Sequence, residues 1–216
     1  MAVCCICLFF DSLADVCRKG TMMVEEKLDR RSAYSRMVIE DTFLEMLREG
    51  PFSRINVAGL CRRADISRGT FYLHYVDIYD VLNHVLAKAL MTAEQEGEGE
   101  SFLSFLKLSK EENIREKLRE NGFLLPVCQR MADDEKYRPL FQDESISSHV
   151  LHFVYSAERE KLVPLMMEYY GVKKKVAEMM YLFAVAGAYA VNRDHKWKKD
   201  EDWYEFQEEL IRMLGK

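Results

Sequence analysis

With 216 residues, a formal net charge of −5 and 49% hydrophobic residues, the chain is long enough for a substantial core and is no generic polyanion binder. Four prolines, ten glycines and no strand-length alternation exclude a sheet-rich or low-complexity protein and point to an all-α fold. No apolar run reaches the roughly 18 residues of a membrane span. The six cysteines form no paired C-x-x-C or Cys/His set, so no metal, cofactor or disulfide framework is expected, and a reducing cytoplasm is the natural compartment.

Residues 1–22 do not fit the rest. Ala2 to Phe10 is apolar but short, and no basic residues precede it as a signal peptide needs. The segment is expected to be a non-native or disordered extension, with translation starting at Met22 or Met23. Residues 23–95 then form a head and its linker helix, and residues 101–216 a second helical domain. Ser35 is the expected cap of the first helix, whose stripe Val38, Ile39, Thr42, Phe43, Met46 and Leu47 faces the core until Gly50-Pro51 ends it.

Asn56 to Tyr75 carries the most information. Asn56 can cap a second helix, on which Val57, Leu60 and Cys61 make one apolar face. Ala64-Asp65-Ile66 forms a tight turn, and Ser67 caps a third helix. Phe71 and Tyr75 point inward at i, i+4, which leaves Arg68, Gly69, Thr70, Tyr72, Leu73 and His74 outside. A face of one arginine, hydroxyls and a histidine, almost without acid, suits phosphates and base edges better than plain solvent. The stretch from Phe52 to Tyr75 holds Arg54, Arg62, Arg63 and Arg68 against Asp65 alone.

This segment resembles the helix-turn-helix of the TetR (TetR/AcrR-like) family of bacterial transcriptional regulators. Ser67-Arg68-Gly69-Thr70-Phe71-Tyr72 and His74-Tyr75 carry the resemblance, preceded by Leu60-Cys61 and Ala64-Asp65-Ile66. It departs from the family at Ile78, where a phosphate-contacting lysine is usual. The resemblance implies a DNA-binding head, an effector-binding and dimerisation domain, and a cytoplasmic, nucleoid-associated repressor of a palindromic operator. Asn56, Arg68, Gly69, Thr70, Tyr72, Leu73 and His74 are the expected DNA-facing residues. Arg68 and Thr70 would reach base edges, and Tyr72 and His74 phosphates.

Beyond Tyr75, Asp77 is the expected cap of a fourth helix, with Asp80 favouring its first turn. Glu96 to Glu100 reads as the loop between domains. Downstream, helices are expected over Phe102–Leu108, Glu111–Arg119, the region of Pro126, Asp133–Phe141, Ser145–Tyr170 with Pro164 inside, Lys173–Asn192 and Trp203–Leu214. The small-residue run around Ala184, Gly187 and Ala188, with Trp203, Phe206 and Leu210 on the last helix, is the expected homodimer interface. The resemblance further implies a small apolar effector, for which Phe102, Phe105, Met131, His149, His152, Phe153, Tyr155 and Met166 are the candidate lining. His149 and His152 have a spacing that suits a metal, but nothing nearby completes a site. No catalytic residue and no enzyme activity are expected. The rival reading is a TetR-like activator, or a partner-binding helical protein with weakened DNA binding.

Overall fold

The computed structural model describes residues 30–95 and 107–215, and all regular structure among them is helical. The expected extension at 1–22, the loop at Glu96–Glu100, and Phe102 and Phe105 lie outside the described residues. Helix α1 spans Arg30–Glu49, so Ser35 is an interior residue and not its cap. Nothing in Arg30 to Tyr34 breaks a helix, and the side chains there tolerate one well enough to continue it. The buried side of α1 is Ile39, Thr42, Phe43, Leu44 and Leu47, joined by the carboxylate residue Glu40.

After a 3-10 turn at Phe52–Arg54 come α2 (Val57–Arg63) and α3 (Arg68–Tyr72). Helix α4 (Ile78–Gln95) opens with a reciprocal cap. Asp77 Oδ1 accepts from the Asp80 amide at 2.9 Å, and Asp80 Oδ2 accepts from the Val76 amide at 2.9 Å. Ile78, the departure from the family pattern, is buried at the start of α4, so the position serves the core.

The second half contains α5 (Ile114–Glu120), α6 (Val127–Asp133), α7 (Pro139–Gln142), α8 (Ser147–Tyr170), α9 (Lys174–Asp194) and α10 (Glu201–Leu214). The helix expected over Asp133–Phe141 is thus only one turn at its end. The Asp134 side chain accepts from the Lys136 amide at 2.8 Å, an alternative to helical bonding, and Pro139 then supplies a ready first helical residue. Helix α8 runs on through Pro164 and stops at Gly171, whose φ of +67° is the left-handed conformation that glycine adopts without steric cost. The chain folds back there, and α8 and α9 pair antiparallel. Tyr155 stacks on Tyr181 at 5.3 Å, and Arg159 bridges to Glu178 at 2.6 Å.

One apolar cluster joins both halves. It gathers Ile39, Phe43, Leu60, Phe71, Val85 and Leu86 with Met131, Leu140, Phe141, Phe153 and Trp197. Residues on both sides of the expected domain boundary therefore share a core. At about 1.5–3 kcal/mol for each large side chain taken from water, this burial is what fixes α4 against α6 and α8. Trp203, expected at an interface between copies, is instead 2% exposed in a second cluster with Leu108, Ile114, Leu118 and Ile211. Its indole donates to Asn192 Oδ1 at 2.7 Å. The burial has a simple cause: the side of α10 that Trp203 leads packs within the chain, against α5 and the neighbouring 3-10 turns. No described helix is long and apolar enough to cross a membrane.

Candidate nucleic-acid interface

Local bonds build the pair of short helices α2 and α3. Asn56 Oδ1 accepts from the Gly59 amide at 2.9 Å, and Ser67 Oγ from the Thr70 amide at 3.0 Å. Each cap satisfies an amide that the first helical turn leaves without a partner. Between the helices Asp65 takes φ 53°, a left-handed value that a short polar side chain tolerates, and the Ile66 amide bonds back to Cys61 O at 3.0 Å. Leu60, Cys61, Phe71 and Tyr75 turn inward and are buried.

A polar contact that sequence reading missed locks this pair to α1 and α4. The Tyr75 hydroxyl donates to Glu40 on α1, and Lys88 on α4 bonds the other carboxylate oxygen. The local signal was an acidic residue set between Ile39 and Phe43-Leu44, on the buried side of α1. Arg63, one of the four arginines between Phe52 and Tyr75, bonds Glu49 and lies 3.6 Å from Glu45, so it ties α2 to α1. Arg54, Arg62 and Arg68 are exposed and make no ion pair among the described residues.

The outward face therefore holds Asn56, Arg68 and Gly69, all exposed, with Tyr72 at 58% and Leu73 at 80% exposure. Val76, which sequence reading did not select, follows α3 and is 79% exposed. Thr70 and His74 are only half-exposed. The Thr70 hydroxyl lies 2.8 Å from Ser67 Oγ and belongs to the cap. Burial, and then the charge of Arg36, hold the His74 ring below its ordinary pKa, so near neutral pH it offers a neutral donor and no cation. Arg68 supplies a planar set of donors that matches either a phosphate or a guanine edge, and Tyr72 supplies one hydroxyl donor.

The six described residues of the expected effector lining lie in different places. Met131 and Phe153 sit in the cluster shared by both halves, whereas Met166 and Tyr155 belong to a third cluster between α8 and α9. His149 bonds Asn83 on α4 at 2.7 Å, and His152 is exposed. A cavity of about 200 Å³ lies between α4 and α6, lined by Ala89, Thr92, Ala93, Arg130, Asp133 and Asp134, none of them on the expected list of residues. Cys61 and Cys128 are buried free thiols, and desolvation pushes Cys128 up to about 11. Among the described residues, no group of His, Cys, Asp and Glu is placed to hold a metal ion.

On α9, Ala184 and Ala188 are half-buried and Gly187 is exposed. Around them Met179 at 63%, Leu182 at 47% and Phe183 at 77% exposure extend an apolar stripe, with Phe206 at 37% and Met213 at 59% on α10. Leu210 is half-buried beside them. No family model, curated protein or solved structure matches this chain, so what these faces bind has to be argued from their own chemistry.

Proposed function

We propose that the chain is a DNA-binding transcriptional regulator of the TetR type, acting as a homodimer on a palindromic operator and released from it by a small apolar effector. The observation that carries this reading is the capped pair α2–α3, whose outer face presents Arg68, Gly69, Tyr72 and Leu73. Caps, turn and inward aromatics orient that face rigidly, and a rigid helix face with few acids is what major-groove docking requires. Three exposed arginines that make no ion pair among the described residues supply the phosphate attraction. The apolar stripe of α9 and α10 supports the dimer, since a surface of this kind is commonly covered by a partner.

Enrichment of duplexes from a randomised pool, followed by a mobility-shift titration on the winning sequence and on the gene's own upstream DNA, tests the reading. A palindromic duplex bound by two chains is the expected result. Failure to enrich any duplex would sink it in favour of the rival, a helical module that binds a protein partner. The buried Ile78, where a phosphate-contacting lysine is usual, and the half-buried His74 are the observations on that rival's side.

A further inference from the structure

The outward face of α3 offers fewer polar reading groups than its sequence implies. The Thr70 hydroxyl is engaged by Ser67 and His74 is half-buried, which leaves Arg68 and Tyr72. The most exposed large side chains here are aliphatic: Leu73, at the end of α3, at 80%, and Val76, in the segment after it, at 79%. A lone exposed aliphatic side chain is ordinary on a protein surface. Here Leu73 shares the outward face of α3 with a glycine, and an exposed valine follows in the next segment of chain.

Gly69 lies one turn before Leu73, where residues four apart are neighbours. A Cβ added at Gly69 would meet only Ser67 Oγ at 3.5 Å, an ordinary contact. The fold thus has room for alanine, which helices prefer to glycine. Nothing among the described residues requires the glycine, and the missing side chain leaves the backbone open to a close approach from outside. The exposed Arg54, Arg62 and Arg68 make a polyanion the fitting occupant. In the major groove of a DNA duplex, the 5-methyl group of thymine is the one apolar group among the base edges.

Resting on the reading of α3 as a recognition helix, we propose that Leu73 selects a thymine by packing against its 5-methyl group, with Gly69 letting the helix come close enough to do so. Leu73 is then a specificity residue, beside Arg68 as the polar reader.

The test uses the full chain and the duplex enriched from a random pool, with each thymine replaced in turn by deoxyuridine. That exchange removes the methyl group and leaves base pairing intact. One position in each half-site should lose about fourfold in affinity, the factor that burial of a single methyl group supplies. Leu73→Ala should bind the thymine and uracil duplexes equally at that position. A side chain this exposed should leave the circular dichroism melt unchanged, so a loss of discrimination could not be put down to unfolding. A flat uracil scan with the native chain overturns the proposal while leaving DNA binding intact. So does a Leu73→Ala protein that keeps the same discrimination. If no duplex is enriched at all, the underlying reading falls with it.

Discussion

The Tyr75 hydroxyl donates to Glu40 Oε1 at 2.7 Å, across 35 positions of sequence. Tyr75 follows α3 and Glu40 lies on α1, so the bond fixes the angle at which the outward face leaves the head. Lys88 on α4 holds the other oxygen, and three helical segments meet on one carboxylate. Such a group is costly to bury unless its oxygens are bonded.

Removing one partner should therefore hurt more than a single hydrogen bond suggests. Tyr75→Phe leaves Oε1 of a 4%-exposed glutamate without its donor. The expected loss is about 1–3 kcal/mol, the usual cost of an unsatisfied buried group, read as a lower urea midpoint with an unchanged slope. The effect depends on pH. Burial first, and then the Glu40 charge, raise the Tyr75 hydroxyl above its ordinary value. A group raised in the folded state contributes stability that is complete below its unfolded pKa of about 10 and is lost as pH rises past it. The gap between native and Tyr75→Phe proteins should be full at pH 8 and shrink in stronger alkali; a gap independent of pH contradicts this account.

The turn between α2 and α3 makes a second prediction. Asp65 occupies φ 53°, where a β-branched residue is strained most. Asp65→Val should destabilise by about 1–2 kcal/mol, the cost of left-handed backbone for an L-residue. Asp65→Gly should be nearly neutral, because relief of strain is offset by the greater freedom of glycine in the unfolded chain. Thermal melts of both variants decide it; equal melting points would mean that the turn does not hold this conformation.

Base reading should divide between positions on one face. Arg68→Ala should cost about 1–3 kcal/mol on the preferred duplex and blur the preference at one base pair. Tyr72→Phe should weaken all duplexes alike, as loss of a phosphate donor does. Affinities measured on the enriched duplex and on its single-base variants separate the two. An Arg68→Ala protein with native affinity and native preference means that α3 is not the reading element.

What was legible in the sequence was local. The caps Asn56, Ser67 and Asp77 act within three residues of themselves, and the inward spacing of Phe71 and Tyr75 belongs to one helical turn. The partners of Glu40 lie 35 and 48 positions away, and no local pattern reports them. Trp203 shows a different limit: an apolar stripe announces that a helix is covered but not whether its own chain or a second copy covers it. Residue type alone does not report which side chains meet: Met131 and Phe153 lie in one cluster, Tyr155 and Met166 in another.

Assembly is tested at Gly187, where the structure sharpens the expectation. A Cβ there meets nothing within 4 Å, so Gly187→Leu has room in the single chain, and leucine favours a helix over glycine. The protomer should stay folded. Between two copies facing each other through Met179, Phe183 and Gly187, however, the added side chain would hold the helices apart. Light scattering should then give half the native mass, and Phe183→Asp, at a 77%-exposed position, should do the same by placing a charge in the contact. Operator affinity should fall with the dimer, because two half-sites no longer bind as one unit. A Gly187→Leu protein that keeps the native dimer mass and the native affinity would place the contact between copies elsewhere on the molecule.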